Sequence, residues 1–225
     1  IALSWISFIG MKKSALDAGR QRSLKLTEQL TSMLQLGIPK LRAGLRSAAD
    51  HESIRAYLLS EEKKSVDSAM TQLKKLNADT VVVMVQLLNL DRKPVLMSGR
   101  KNDLIKFNIE PELLATSANP EFTTFGKMYA AGDSLFYAYI VAVLNDNKRP
   151  IGHIVQWRKL SSTKEGLQQL ALIIGSDATM HIGNNDGSIW TNLLKPVKMP
   201  AFEKTNVPNI VTYSRDGNQM ISSVR

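Results

Sequence analysis

The segment that most constrains the fold is an unbroken apolar and aromatic run at residues 135–144. Turn signals flank it, AGDS at 131–134 and NDNKRP at 145–150, and residues 151–159 follow as its antiparallel partner. Side chains alternate along a strand, so each face of the sheet receives one apolar set. One set is Leu135, Tyr137, Tyr139, Val141 and Val143, and the other is Phe136, Ala138, Ile140, Ala142 and Leu144. The run is therefore predicted to be a central strand that is covered on two sides.

Further strand patterns precede this run. Residues 80–88 are continuous and β-branched, residues 89–93 form a turn, and residues 94–98 return as a second strand. A short helix is predicted at 110–117, where Pro111 suits the first turn. With three strands in 125–160, the order predicts a five-stranded antiparallel sheet with helices packed on it.

The first 77 residues have a helical pattern. Apolar residues recur at three- and four-residue steps from Lys12 to about residue 36, and again from His51 to Leu76. Pro39 is predicted to kink the chain or to begin a new helix, and Asp50 to cap the helix that starts near His51. Helices of this combined length are expected to form a stalk or to fold back as a hairpin.

The uncharged residues 1–11, followed by two lysines, leave three interpretations open. They are the end of a membrane helix, a signal-peptide remnant, or the start of a buried helix. A complete membrane helix needs about 20 apolar residues, so this stretch alone is too short to span.

The last third of the chain predicts a second, smaller strand unit. A helix ends at about Ile174 and Gly175, and strands are predicted at 178–182, 188–191, 210–214 and 219–224. The unit reads as a repeat of the first sheet that lacks its closing strand. Four parts are predicted: a helical stalk (1–77), a distal sheet domain (78–160), a connecting helix (161–175) and an incomplete proximal domain (176–225).

Composition excludes several classes of site. The chain has no cysteine, so disulfides and thiolate metal sites are ruled out. The net charge of +9 lies mainly on the N-terminal helices with interspersed signs, which favours a solvated or lipid-facing helix surface over nucleic-acid binding. The three histidines are not at metal-ligand spacing, and the NNDG sequence at 184–187 predicts a turn rather than a calcium loop. No catalytic motif is present, so no enzyme activity, metal or cofactor is predicted.

Several stretches together resemble double Cache sensor modules, which are tandem PAS-like domains of bacterial receptors. They are the long N-terminal helix, the turn LLNLDRKPVLMSG, the meander ending PIGHIVQWRKL, and the second unit opening IGNNDGSIWTNL. Gly152 and the strand after it are similar to the last distal strand of the family, and Asp216-Gly217 to its membrane-proximal hairpin. The tyrosine–aspartate–threonine and Arg-x-Trp-Tyr patterns of many amino-acid-binding members are absent, so the resemblance does not imply an α-amino-acid ligand.

The resemblance implies the extracytoplasmic, periplasmic sensor domain of a membrane-bound histidine kinase that forms a homodimer. A chemoreceptor or cyclase sensor, or a dimerisation or protein-interaction domain without a ligand, stays as an alternative.

Clustered tyrosines often face a polar cavity, although core packing also explains them. Asp133, Lys127 and Arg158 are expected to carry charge at the rim, and the basic balance favours a polar or anionic ligand. The candidate ligand-binding residues are Tyr129, Tyr137, Tyr139, His153, Trp157 and Asp133. Tyr139→Ala is expected to weaken ligand binding with little effect on the fold.

Overall fold

The structure is a computed structural model that describes residues 2–60, 63–99, 106–160, 162, 164–175, 179–199, 209–215 and 218–224. Its helices and antiparallel sheets confirm the predicted α+β class. The helices are α1 (Ala2–Ala49), α2 (Glu52–Ser60), α3 (Lys63–Leu76), α4 (Glu110–Ala118) and α5 (Lys164–Ile174). The strands are β1 (Val82–Asn89), β2 (Pro94–Gly99), β3 (Thr124–Ala131), β4 (Ser134–Leu144), β5 (Pro150–Leu160), β6 (Ile182–Gly183), β7 (Trp190–Thr191), β8 (Pro196–Val197), β9 (Asn209–Arg215) and β10 (Asn218–Val224).

The main sheet has five antiparallel strands, as the sequence predicts, and their order across the sheet is β2-β1-β5-β4-β3. The run at 135–144 is β4, an interior strand between β5 and β3, while β5 takes the central place. The turns at 131–134 and 145–150 let β3 pair with β4, and β4 pair with β5.

Both faces of the sheet are buried, and different helices cover them. The end of α1 with α2 and α3 covers one face, called the helix face from here on. Its buried side chains are Leu45, Ala48, Ala49, Ile54, Tyr57, Ala69 and Leu73 from the helices, and Val82, Val85, Leu87, Tyr139, Val141, Val143 and Ile154 from the sheet. The other face, called the α4 face, buries Leu113 of α4 with Met84, Leu88, Phe136, Ala138, Ile140, Val155 and Trp157. The alternation predicted for β4 is thereby confirmed.

The predicted start of a new helix at Pro39 is wrong, because α1 continues through this residue to Ala49. A proline inside a helix costs about 3 kcal/mol. The next turns place Leu41 and Leu45 against the helix-face core, and burying one leucine contributes about 1.5–3 kcal/mol. Packing after the proline therefore holds the helical conformation that the local sequence disfavours. Among the described helices, none combines the length and apolar character that a membrane span requires.

The predicted N-cap at Asp50 is also wrong. Helix α2 begins at Glu52, and the backbone N–H of Ser53 donates to Nδ1 of His51 at 3.2 Å. The other ring nitrogen of His51 lies 3.0 Å from the side-chain nitrogen of Gln72 in α3. His51 therefore caps α2, and its ring also contacts α3, a long-range contact that the local cap pattern does not reveal.

The C-terminal strands form two small sheets, β6-β7-β8 and β9-β10. The predicted strand at 178–182 is shorter than expected and begins only at Ile182, while residue 178 lies outside the described residues. At Gly183 the Trp190 ring packs so closely that an added Cβ would lie 2.4 Å from it.

The chain divides into two compact units. One contains Ile1–Ile38, Gln168–Ala178 and Pro200–Arg225, and the other contains Pro39–Leu167 and Thr179–Met199. Residues 179–199 therefore belong to the same unit as the five-stranded sheet. The four-part division predicted from the sequence stays a prediction.

Gly152 provides a test of how tightly the centre of the sheet is packed. An added Cβ would lie 2.4 Å from the carbonyl oxygen of Leu88 and 2.8 Å from a methyl carbon of Leu58. We expect Gly152→Ala to lower the free energy of unfolding by about 1–3 kcal/mol, because the strand must move away from β1 and α2. The measurement is urea denaturation.

Gly44→Ala is the matched control. Gly44 is an exposed residue of α1, and an added Cβ there meets nothing within 4 Å. This substitution should raise the free energy of unfolding by about 0.5–1 kcal/mol, since alanine favours the helix more than glycine does. Equal effects of the two substitutions would contradict the described packing at Gly152.

Candidate ligand-binding site

The polar side chains on the α4 face are positioned by α4 and the residues just before it. Asn108 accepts a hydrogen bond from the backbone N–H of Glu110 at 3.0 Å, and Pro111 occupies the first turn. Leu113 enters the α4-face core, while Glu112, Thr116 and Ser117 lie on the side of the helix that contacts the sheet. The helix thus brings a carboxylate and two hydroxyl groups onto an otherwise apolar surface.

Three aromatic side chains meet beside this helix. The ring of Phe107 stacks on Tyr129 at 4.7 Å between centroids, and Trp157 lies 6.0 Å from Phe107 and 5.8 Å from Tyr129. The indole N–H of Trp157 donates to Oε1 of Gln86 at 3.0 Å, and both side chains are buried. These three rings, called the aromatic trio below, form an apolar wall with one satisfied polar contact.

A β-bulge in β3 places Tyr129 on the α4 face with the other two rings. Phe125 pairs with Tyr139, but after the bulge Met128 pairs with Tyr137 and Tyr129 pairs with Phe136. Without the extra residue, Tyr129 would lie opposite Leu135 and would face the helix side of the sheet. The bulge therefore places Phe125 and Tyr129 on opposite faces of the same strand.

Glu112 is a carboxylate that is only partly satisfied. It is 7% exposed, and its Oε1 accepts a hydrogen bond from the backbone N–H of Lys127 at 3.3 Å. The Tyr129 hydroxyl donates to the carbonyl of Asn108 at 2.7 Å and lies 3.4 Å from the same carboxylate oxygen. The second oxygen, Oε2, is buried without a hydrogen-bond partner among the described residues. Burial and the Glu112 charge raise the pKa of Tyr129 to about 12, so its hydroxyl stays protonated.

His153 presents a second unsatisfied acceptor on the α4 face. The ring is 2% exposed, and its Nε2 lies 3.0 Å from the hydroxyl of Ser117. Ser117 donates its one hydrogen to the carbonyl of Leu113 at 2.9 Å, so Nε2 must carry the proton that joins it to Ser117. Nδ1 is then an acceptor, and it has no partner within the described part of the chain. Burial, with the charge of Arg92, lowers the pKa of His153 to about 4.

An open cleft adjoins this region. Its volume is about 580 Å³, and two of its lining residues, Val83 and Phe136, also belong to the α4-face packing. Asn77 and Lys159 line it as well, and the side-chain oxygen of Asn77 is buried without a hydrogen-bond partner in the described structure. The cleft therefore borders the α4 face at Val83 and Phe136, while Glu112, His153 and the aromatic trio are not among the residues that line it.

The structure separates the six predicted site residues. Tyr129, His153 and Trp157 lie on the α4 face. Tyr137 and Tyr139 lie on the helix face, where their rings contact Phe125 at 5.2 Å each, and Asp133 is exposed in the turn between β3 and β4. Only the first three can belong to a site under α4.

The predicted rim charges have other partners. Arg158 is buried and pairs with Asp79 at 2.7 Å. Lys127 pairs with Asp186 at 2.8 Å on the surface. Neither of these cations is therefore available as a rim group for an anionic ligand on the α4 face.

Sequence reasoning missed the residues that make the α4 face polar. Glu112 interrupts the apolar stripe of α4 between Ile109 and Leu113, and Gln86 interrupts the apolar strand VVVMVQLLN. A polar residue in a buried apolar pattern needs a partner, so both positions were signals that the sequence contained. Phe107 carried no such signal, because it lies outside the regular elements.

The NNDG sequence forms a turn that docks on β3. The side-chain amide of Asn184 accepts from the backbone N–H of Met128 at 2.8 Å and donates to its carbonyl at 2.9 Å. Gly187 has φ +74°, a conformation that glycine tolerates. No group of three His, Cys, Asp or Glu side chains in the described residues could hold a metal ion.

No family model and no curated protein matches this chain by sequence. Solved structures do match its fold. The sensory domain of the Campylobacter jejuni chemoreceptor Tlp3 with isoleucine bound is 12% identical, with a TM-score of 0.58, covering 93% of this chain and 89% of that one. The sensor domain of the Vibrio cholerae histidine kinase DctB is 13% identical, with a TM-score of 0.53, covering 80% and 66%. The ligand-binding domain of the Pseudomonas aeruginosa amino acid chemoreceptor PctC with GABA is 11% identical, with a TM-score of 0.51, covering 94% and 90%.

The chain has the fold of these sensor domains. The resemblance stated from the sequence is thereby confirmed at the level of the fold, including the long N-terminal helix before the sheet. The three structures described here are sensor or ligand-binding domains.

The location of Tyr139 changes the expected outcome of its substitution. The side chain is 3% exposed and packs in the helix-face core. We expect Tyr139→Ala to lower the free energy of unfolding by about 3–5 kcal/mol, because it leaves a cavity beneath the helices. Urea denaturation with Tyr139→Phe as the control checks this, since the phenylalanine keeps the ring. Near-wild-type stability of Tyr139→Ala would contradict the assignment of Tyr139 to the core.

His153 should make stability depend on pH. The unfolded chain takes up a proton at this residue near pH 6.5 and the folded chain only near pH 4, so acid favours the unfolded state between these values. We expect the His153 contribution to the free energy of unfolding to fall by about 1.4 kcal/mol per pH unit as the pH drops through this window.

The matched variant for this prediction is His153→Gln, which does not titrate and can still donate to Ser117. Comparing wild type and variant by urea denaturation at several pH values isolates the contribution of the histidine. Parallel stability curves between pH 6.5 and pH 4 would show that His153 does not titrate as described.

Proposed function

We propose that this chain is the extracytoplasmic, periplasmic ligand-sensing domain of a membrane-bound signal-transduction histidine kinase. The observation that carries the proposal is the α4 face: it buries two unpartnered hydrogen-bond acceptors, Oε2 of Glu112 and Nδ1 of His153, and it also contains the aromatic trio. A buried polar group without a hydrogen bond lowers the stability of the fold by about 1–3 kcal/mol. A purely structural core gains nothing in return. A small molecule that forms hydrogen bonds to these atoms would explain why they are unpaired in the folded chain.

The matched sensor domains support the same assignment. Tlp3 was solved with isoleucine and PctC with GABA, both small molecules. In this chain the proposed ligand contacts Tyr129, His153 and Trp157, with Glu112 and Gln86 added from the structure. The ligand is placed in the distal part of the predicted four-part division, with the proximal part and the flanking helices leading to the membrane of a homodimeric receptor.

The output module of the receptor has a second candidate. Two of the three structures described above belong to chemoreceptors. The Tlp3 domain has a TM-score of 0.58, against 0.53 for the DctB domain of a histidine kinase. A chemoreceptor sensor would bind its ligand on the same face and would differ only in the module that receives the signal. The sequence that accompanies this domain in the complete receptor distinguishes the two.

Signalling requires more than binding. A ligand shifts an equilibrium only by the difference between its affinities for the two arrangements of the domain. Binding under α4 meets this requirement if it favours one arrangement of α4 and β3, which hold Glu112 and Tyr129.

A thermal-shift screen of the 225-residue chain against organic acids, sugars, peptides and amines tests ligand binding. Calorimetry with a hit then compares Tyr129→Phe on the α4 face with Tyr137→Phe on the helix face. We expect Tyr129→Phe to weaken binding about tenfold, because the lost hydroxyl fixes Asn108 and lies beside Glu112, a bond worth about 1–1.5 kcal/mol.

Tyr137→Phe should bind the hit as the wild type does. Equal losses in the two variants would contradict the α4-face site. A screen without any hit would favour the alternative of a dimerisation or protein-interaction domain.

A further inference from the structure

We propose that Arg46 couples the position of α4 to the last turn of α1, so that a change at the α4 face is passed to the N-terminal helix. As a signalling role this rests on the proposed function, because it names how the proposed site is connected to the rest of the receptor. The coupling itself is a property of the unliganded chain. Its support comes from the two hydrogen bonds that Arg46 donates, the gap in the sheet that it crosses, and a second contact of α4 at the same place.

The first observation is that one guanidinium group bonds to two separate segments. Nη2 of Arg46 donates to the carbonyl of Pro120 at 2.7 Å, and Nη1 donates to the carbonyl of Ala142 in β4 at 3.1 Å. Pro120 lies two residues beyond Ala118, where α4 ends, and α4 has no basic residue in its own last turn. Arg46 therefore brings a positive charge to the C-terminal end of α4, where a cation is favourable, and joins the segment after this helix to the sheet.

The second observation is the place at which Arg46 reaches across the sheet. Strand β3 begins at Thr124, which pairs with Ile140, so the residues of β4 beyond Ile140 have no partner in β3. The carbonyl of Ala142 belongs to this part of β4. Leu45, the neighbour of Arg46, packs in the helix-face core, whereas α4 covers the opposite face. Because β3 has not yet begun here, a side chain from the helix face can contact the segment that follows α4.

The third observation is that α4 contacts the sheet at the same position. Ser117, near the end of α4, lies 3.0 Å from Nε2 of His153, and His153 pairs directly with Ala142 between β5 and β4. The end of α4 thus reaches this pair of residues through Ser117, while α1 reaches it through Arg46. A shift of the end of α4 that carries Pro120 with it must either move Arg46 or break its hydrogen bond. Two elements that share such a bond respond to each other, which is the physical basis of coupling.

Hydrogen–deuterium exchange of the 225-residue chain tests the coupling without any ligand. Arg46→Met keeps the stem of the side chain and removes both hydrogen bonds. We expect it to raise exchange at the end of α4 about tenfold, because the loss of hydrogen bonds from a charged donor lets this end open more often. The N–H of Asn119, which donates to the carbonyl of Ala115 at 3.2 Å, reports this opening.

Arg42→Met is the matched control. Arg42 is an exposed residue of α1 that lies one turn before Arg46. Its substitution removes the same charge from the same helix, so it should leave exchange at the end of α4 unchanged. A rise of similar size in both variants would show that the charge of α1, and not the contact of Arg46 with Pro120, holds this end, which would overturn the inference.

A double-mutant cycle distinguishes coupling from two independent contacts. Ser117→Ala frees the end of α4 from His153, and we expect it to raise exchange in the last turn of α1 about threefold in the wild-type background. The reporter is the N–H of Asp50, which donates to the carbonyl of Arg46 at 2.9 Å. In the Arg46→Met background the same substitution should leave this amide unchanged, because the connection is already broken.

The outcomes separate this inference from the proposed function. If Ser117→Ala raises exchange in α1 equally in both backgrounds, or in neither, α4 and α1 are not coupled through Arg46 and the inference is wrong, while the α4-face site is unaffected. If Arg46→Met raises exchange by one common factor in α4, β4 and β5, Arg46 only stabilises the fold as a whole, and the inference is wrong as well. If the cycle gives the expected difference and the metabolite screen is blank, the coupling stands and only its role in sensing falls with the proposed function.

Discussion

The fold depends on one constraint: β4 is apolar on both faces and β5 is buried on both, so both faces of the sheet must be covered. Neither strand can form a stable surface with one layer of helices, because the uncovered face would expose residues such as Ile140 or Val141 to water. Three helices meet this requirement on the helix face. Among the described residues, the α4 face is covered by one short helix and the residues around Phe107. This thinner layer is where the buried polar groups Glu112 and His153 occur.

The five antiparallel strands and the two faces of β4 could be predicted, because they depend on local patterns. The alternation within a strand and the turn residues at 131–134 and 145–150 can each be recognised within one short segment of the sequence. The membership of the site could not be predicted, because it depends on register between strands. One extra residue between Phe125 and Met128 moves Tyr129 to the α4 face, while Tyr137 and Tyr139 stay on the other. A list of aromatic residues in one meander therefore combines two surfaces that the sheet keeps apart.

The two errors in the helical region have different origins. At Pro39 the packing of the following turns against the helix-face core decides the outcome, and at Asp50 the next residue, His51, takes the cap position. Local preferences of this kind amount to about 1–3 kcal/mol, which the burial of one or two apolar side chains can offset. Glu112 is the opposite case, because a polar residue within the apolar stripe of α4 can be recognised from the sequence alone. What the sequence does not contain is the partner that would explain it.

The bulge in β3 links these observations. Its backbone groups are satisfied by side chains from two distant segments: Glu112 accepts from the N–H of Lys127, and Asn184 bonds to both backbone groups of Met128. An edge strand with unpaired groups would otherwise be free to slip or to pair with another chain. The residue that carries the unsatisfied acceptor thus also helps to fix the register that places Tyr129 beside it.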